Sequence, residues 1–257
     1  MNESPLRPVA GSSAIAARVL LVRHASTDWN AGGFITGWAN PELSPLGRAQ
    51  ARATGDLLRR RGEVPSHVVT SRSARALDTA LEILRVLDLD LEVRASWRLN
   101  ERQVGALQGL DREAAILLYG RTDFRAWRRQ PYAQPPALDE DDLRHPRHDP
   151  RYADVDPRRL PASESLAQLN QRLVEGWVRD IEPLTLGGDT VLVVGHCHSL
   201  RALARFLEGS SSRAEEYFGT PADCVTYVRD ERGWMFVSQE SSSPASATDV
   251  TTTLKNE

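Results

Sequence analysis

Two histidines, two arginines and one carboxylate are the residues of this chain best suited to chemistry. His24 stands behind the apolar run 19–22 with Arg23 before it, and His196 closes a second run over 191–195. Short continuous apolar runs of this kind read as strands buried on both faces. Ligands of open α/β sheets bind beyond the carboxyl ends of such strands. If the two strands are parallel neighbours, both imidazoles meet at one edge. Arg75 opens a helix straight after the strand-like "SHVVTS", where free backbone N–H groups also favour an anion. Glu101, in "WRLNER", follows another short strand and can reach the same edge. This is an inventory for phosphoryl transfer: imidazole as covalent nucleophile, guanidinium forks to clamp phosphate oxygens, and a carboxyl to shuttle the leaving group's proton.

The elements that must position these groups are legible from periodicity. Strands are expected over 18–22, 66–71, 91–95 and 189–196. A helix over 44–62 has Ser44 as N-cap, Pro45 at its first position and Gly62 at its end. Leu77, Ala80, Leu81 and Leu84 recur at helical spacing, as do Leu166, Leu169, Leu173 and Trp177. The latter helix is entered from Pro161, with Ser163 as its expected N-cap. A helix over 199–209 ends at Gly209, and a hairpin or edge-strand pair turns at 230–233. Strands alternating with helices imply an α/β fold, a three-layer α/β/α sandwich around a mainly parallel sheet. The stretch from about 105 to 162 is less regular and rich in Pro, Arg and Asp, too long for a plain connection. The expected organisation is a loose extension over 1–17, one domain over 18–239 carrying that insertion, and a disordered Ser/Thr-rich tail over 240–257.

A formal net charge of −3 over 257 residues argues against bulk attraction to nucleic acid or to anionic membranes. Of the 32 basic residues all but Lys255 are arginine, so any anion site must be built from guanidinium groups. Cys197 and Cys224 make no disulfide framework and fit a reducing compartment. No apolar run is long enough to span a bilayer, and the N-terminal residues lack the basic start and apolar core of a secretory signal. A cytoplasmic enzyme acting on a small phosphorylated substrate is the expectation. Neither nucleic acid nor membrane is a partner, and a homodimer stays open.

The segments "LVRHASTDWN", "FITGW", "LSPLGRAQA", "TSRSARALDTA", "WRLNER", "GLDREAA", "AWRRQP", "RYADVDPRRLPASESL" and "VVGHCHSLRAL" follow one another in this order. With them the chain resembles the histidine phosphatase superfamily, and within it the cofactor-dependent phosphoglycerate mutases. The resemblance implies that His24 accepts the phosphoryl group, that Arg23, Arg75 and His196 hold it, and that Glu101 gives and takes the proton. It also implies that Asn30, Thr36 and Gly37 line the substrate pocket together with Cys197 and His198. Arg102, Arg112, Arg128 and Arg129 would hold the substrate's second anionic group. It implies 2,3-bisphosphoglycerate as primer and no metal.

Several positions depart from the mutase pattern. Ala25 and Ser26 follow the first histidine in place of glycine and glutamate. Gln103 and Val104 replace a histidine and a tyrosine, and "HCHS" stands where the mutases carry "HGNS". Arg112 takes the place of a lysine, and a planar fork is not a point charge. These changes leave the phosphohistidine core intact and open a second reading, a phosphatase that hydrolyses the same intermediate. A binding protein without catalysis is disfavoured by the complete core set. "HCHS" also invites a zinc reading, weakened by the lack of a second suitably spaced Cys/His pair. Bland readings compete throughout: His24 as a structural strand end, Glu101 as a solvated carboxylate, Arg128 and Arg129 as a solvated pair, His145 and His148 as surface residues.

Overall fold

Val19, Leu20, Leu21 and Val22 have no exposed surface, so the strand they form must lie between two covering layers. The computed structural model describes residues 17–209 and 212–241. The loose extension expected over 1–17 and the tail over 240–257 fall almost wholly outside them. In chain order the elements are β1 (Arg18–Arg23), α1 (Asp28–Ala31), α2 (Pro45–Arg60), β2 (His67–Thr70), α3 (Ala74–Leu87) and β3 (Val93–Ala95). They continue with α4 (Arg112–Tyr119), α5 (Arg121–Arg129), α6 (Leu166–Gly176), β4 (Thr190–Gly195), α7 (Cys197–Glu208), β5 (Cys224–Asp230) and β6 (Gly233–Glu240).

The sheet runs β3-β2-β4-β1-β5-β6. β1 to β4 are parallel, while β5 and β6 form an antiparallel hairpin on the β1 edge. Alternate residues of each strand feed opposite faces. Val19, Leu21, Val191 and Val193 pack with Leu169, Leu173, Leu200 and Leu203 of α6 and α7. Leu20, Val22, Leu192 and Val194 pack with Leu58 of α2 and Ala76, Ala80 and Ile83 of α3. The fold is therefore the expected α/β/α sandwich, with the core split by the sheet.

Two helix starts differ from expectation. Ser165, not Ser163, caps α6: its hydroxyl accepts from the Gln168 N–H while the Gln168 side chain accepts from the Ser165 N–H. Ser163 instead meets the side chain of Gln134. α7 begins at Cys197 rather than Ser199, because the Ser199 hydroxyl reaches back to the His196 N–H (3.0 Å) and closes the turn earlier. Between 105 and 162 the chain forms α4, α5 and a series of single turns.

The first turn of α2 is pressed on the loop that leaves His24. Ser26 O accepts from the Ser44 N–H (3.0 Å), and a Cβ on Gly47 would lie 2.0 Å from that same oxygen. Gly47→Ala should therefore cost roughly 1–3 kcal/mol, as overpacking against backbone does. Thermal denaturation reads it, and an unchanged midpoint would show that the docking is loose.

Candidate active site

β1 and β4 end level with each other: Arg23 pairs with Gly195, and the next N–H, that of His24, donates to Gly195 O (2.8 Å). The next residue of each chain segment is a histidine. The rings of His24 and His196 sit edge to face, 5.0 Å between centroids, and both are buried.

Hydrogen bonding sets the tautomer of His24. Its Nδ1 lies 2.8 Å from Ala25 O, which can only accept, so Nδ1 carries the hydrogen. Nε2 then holds a lone pair. Burial pushes the ring well below an ordinary imidazole, and Arg75 and Arg23 push it further. His196 is lowered in the same way, by burial, then Arg75 and His24. Its Nε2 meets Ser71 Oγ at 2.8 Å, and its buried Nδ1 has no hydrogen-bond partner.

The arginines are aimed by backbone carbonyls, which leaves their charge uncancelled. Arg75 Nη1 and Nη2 donate to Ala39 O (2.8 Å) and Gly37 O (3.0 Å). Burial lowers its pKa to about 10, so it remains a cation at neutral pH. Arg23 Nη1 donates to Phe218 O and Gly219 O, each at 2.8 Å. Phe218 is fully buried with a left-handed backbone, φ +59°, a conformation rarely adopted by a bulky residue and costing on the order of 1–3 kcal/mol. That strain is stored where the carbonyl meets Arg23. Arg102 Nη1 donates to Trp127 O (2.6 Å).

Glu101 lies on the loop after β3. Its Oε1 accepts from the Arg102 N–H (2.7 Å), and its Oε2 from the N–H of His198 (3.2 Å) with His198 Nδ1 at 3.3 Å. Burial opposes its charge, but His198 and the Arg102 N–H outweigh that, and the carboxyl rests well below the usual range. The loop is held by a buried pair. Arg172 makes two 2.7 Å bonds to the Glu164 carboxylate and also donates to Arg98 O, Asn100 O and Glu101 O. Trp38 Nε1 adds a bond to Glu101 O (2.6 Å).

These groups border a cavity of about 490 Å³. Arg23, His24, Asn30, Thr36, Gly37, Arg75, Glu101, Arg102, Arg112, Arg128, Cys197 and His198 line it, as the sequence reading placed them. His196 lies behind His24, fully buried, rather than on the wall. Arg129 is exposed and does not line the cavity, because it follows Arg128 on a short helix whose pocket side Arg128 and Phe124 occupy. Arg128 stands over the Phe124 ring, 5.6 Å from its centroid. Asn30 Oδ1 is taken by Thr27, which leaves the amide nitrogen for an anion. Ile35, Leu107 and Phe124 supply apolar wall that the motifs did not point to. Ser71, Glu164 and Arg172 were also not foreseen, although the Ser71–Arg72–Ser73 turn after β2 and the "SES" before α6 were the places to look.

In chemical terms the site offers a neutral imidazole with a lone pair on Nε2, a carboxylate, and five guanidinium groups of which none forms an ion pair among the described residues. Burying two neutral imidazoles has a measurable consequence. Below about pH 6.5 the unfolded chain takes up protons that the folded histidines refuse, so stability rises with pH in that window and is lost as pH falls toward the lowered folded values. Each imidazole contributes a slope of up to about 1.4 kcal/mol per pH unit. Denaturant unfolding between about pH 7 and 5.5 should show this, and His24→Gln should flatten the slope by one histidine's share. An identical slope in the variant would mean that His24 is charged in the fold.

Comparison with known proteins agrees with this geometry. The family model of the histidine phosphatase superfamily (branch 1) matches residues 19–145 and 139–241. A 2,3-bisphosphoglycerate-dependent phosphoglycerate mutase of Nitratidesulfovibrio vulgaris strain DP4 is 42% identical over 206 residues, covering 80% of this chain and 82% of that protein. Its counterpart in strain Hildenborough is 43% identical over 194 residues, covering 75% and 78%. Among solved structures, a mycobacterial glucosyl-3-phosphoglycerate phosphatase in complex with VO3 superposes with a TM-score of 0.62 at 25% identity, covering 86% of this chain and 98% of that one. A protein named mycobacterial hydrolase 2 superposes with a TM-score of 0.63 at 27% identity, covering 90% and 94%. With its paired histidines at two parallel strand ends and a family match over nearly all of the described residues, this chain belongs to branch 1 of the histidine phosphatase superfamily.

Proposed function

We propose that this protein interconverts 2-phosphoglycerate and 3-phosphoglycerate through a phosphoryl group carried on His24, primed by 2,3-bisphosphoglycerate. The observation that carries the reading is a pocket lined by two groups of arginines. Arg23 and Arg75 act on the His24 ring, while Arg102, Arg112 and Arg128 form a second group on the cavity wall. Arg128 is lowered by burial and then by Arg112 and Arg129, the signature of like charges held together for an anion to relieve. The bisphosphate intermediate can then be held in two orientations, presenting either of its phosphates to His24. The names of the two relatives above 40% identity support the same reading.

The chain's own groups account for the steps. The lone pair of His24 Nε2 attacks phosphorus as the bond to the ester oxygen breaks. Arg23 and Arg75 take the phosphoryl oxygens, while His196, met at Nε2 by Ser71 Oγ, backs the His24 ring. Glu101 gives its proton to the departing oxygen and takes one back from the hydroxyl that recaptures the phosphoryl group. It rests as a carboxylate, and an arriving phosphate dianion raises its proton affinity. A bisphosphate primer would lie between the two arginine groups and supplies the phosphoryl group that first loads His24. No step needs a metal. The free thiols of Cys197 and Cys224 agree with a cytoplasmic setting, which belongs to the same proposal.

A phosphohistidine-dependent phosphatase acting on a small phosphomonoester is the second reading. Val104, against which Gly37 packs, cannot donate the hydroxyl that the mutase pattern places there. The lost hydrogen bond is worth roughly 0.5–1.5 kcal/mol.

One assay separates the two. Incubated with 3-phosphoglycerate, the protein should stay idle until catalytic 2,3-bisphosphoglycerate is added, then accumulate 2-phosphoglycerate without equivalent release of phosphate. Phosphate release from many monoesters, indifferent to the primer, would establish the phosphatase instead. His24→Ala should abolish phosphoryl capture and a chelator should change nothing. Glu101→Gln should lower turnover by about 10²- to 10⁴-fold, as loss of a general acid–base group does.

A further inference from the structure

His198 stands where the mutase pattern has asparagine, and the mechanism above does not use its ring. It lies in the first turn of α7, and both its backbone N–H and its Nδ1 meet Oε2 of Glu101, at 3.2 and 3.3 Å. The other carboxylate oxygen is held by the Arg102 N–H. The Glu101 side chain is 14% exposed and that of His198 40%, so a nearly buried carboxylate touches a ring that meets solvent. We propose that His198 is a positioning and proton-loading residue for Glu101, keeping on Nδ1 the proton that Glu101 delivers to the leaving oxygen.

This rests on Glu101 as the proton carrier. The pair holds one proton in common. In the free site it lies on the imidazolium Nδ1, opposite the carboxylate. When a phosphate dianion enters, it crosses to Oε2, leaving a neutral ring, and then passes to the ester oxygen as the P–O bond breaks and the bond to His24 Nε2 forms. Recapture of the phosphoryl group by a hydroxyl returns a proton to Oε2 and thence to Nδ1, so nothing is gained or lost over a cycle. An asparagine amide can hold the carboxylate but cannot lend it a proton.

Other charged or titratable groups near the pair are His196 and Arg102 beside Glu101, with Cys197, Arg23 and Arg128 on the same cavity wall. Among the described residues, no other side chain hydrogen-bonds Oε2.

The test compares two donors in rapid-quench formation of phosphorylated His24. 2,3-Bisphosphoglycerate expels an alkoxide and needs the proton; 2,4-dinitrophenyl phosphate expels an acidic phenol and does not. In His198→Asn the ratio of alkyl to aryl rates should fall by about tenfold or more, a fraction of a full general-acid effect. Glu101→Gln should shift the ratio in the same direction. An unchanged ratio in His198→Asn, whether both rates drop or neither does, overturns the proposal and leaves the His24 reading standing. Absence of phosphoenzyme from either donor in the wild type overturns the His24 reading and this proposal together.

Discussion

The parallel register of β1 against β4 is the constraint on which the site depends. Because Arg23 is level with Gly195, the next residue of each segment leaves the sheet at the same height, and both of those residues are histidines. A shift by one residue would turn every side chain of β1 to the opposite face and strand Leu20 and Val22 among the helices meant for Val19 and Leu21. The register is therefore enforced by the whole apolar content of the central strands. The geometry of His24 and His196 follows from hydrophobic burial, without any specific bond between the two rings. Burial then does chemistry as well. It strips water from the imidazoles and, with Arg75 adjacent, keeps them neutral, which is the state in which Nε2 can attack phosphorus.

Glu101 has no strand to set its height, since it lies on a loop past the short edge strand β3. The Arg172–Glu164 pair supplies that reference. Both side chains are nearly inaccessible, and the guanidinium spends its donors on one carboxylate and on four carbonyls, those of Trp97, Arg98, Asn100 and Glu101. Glu164 also receives the Gln103 N–H (2.8 Å) and donates its own N–H to Gln103 O (2.7 Å). A buried pair of this kind adds little net stability, because desolvation consumes much of the attraction. It does fix direction: six hydrogen bonds from two residues leave the backbone on both sides of Glu101 few alternatives.

What could be read in the sequence tracks this division. Arg23, His24 and His196 were legible because an apolar run ending in a basic residue announces both a strand and its exit. Arg75 was legible from the strand-to-helix step before it. The α/β/α order followed from alternating periodicities, which are local. Contacts between distant residues were not legible: Ser71 to His196 spans 125 positions, and Arg172 to the Glu101 loop spans 71. Arg128 and Arg129 were indistinguishable as neighbours in "WRR", and only the pitch of α5 separates the one on the cavity from the one in solvent. Ser163 and Ser165 competed for the same cap, and the glutamine three residues after Ser165 was the discriminating signal.

Several of the buried polar groups that folding leaves unsatisfied belong to the site. Arg23 Nε, Arg75 Nε, Arg102 Nε and His196 Nδ1 are all buried without a hydrogen-bond partner, and Gln103 Nε2 and Gln108 Oε1 lie close by in sequence. Elsewhere such groups would be expected to pair, since each unmade bond costs on the order of 1–3 kcal/mol. Here three of the unmade bonds are donors on guanidinium groups that line the cavity, and these groups are held by carbonyls instead of carboxylates. A carboxylate at any of these positions would have stabilised the empty protein and cancelled the field that an anion must feel. The fold thus withholds from itself interactions that the proposed phosphate ligand would complete, with Phe218 held in a left-handed backbone where its carbonyl keeps Arg23 in place.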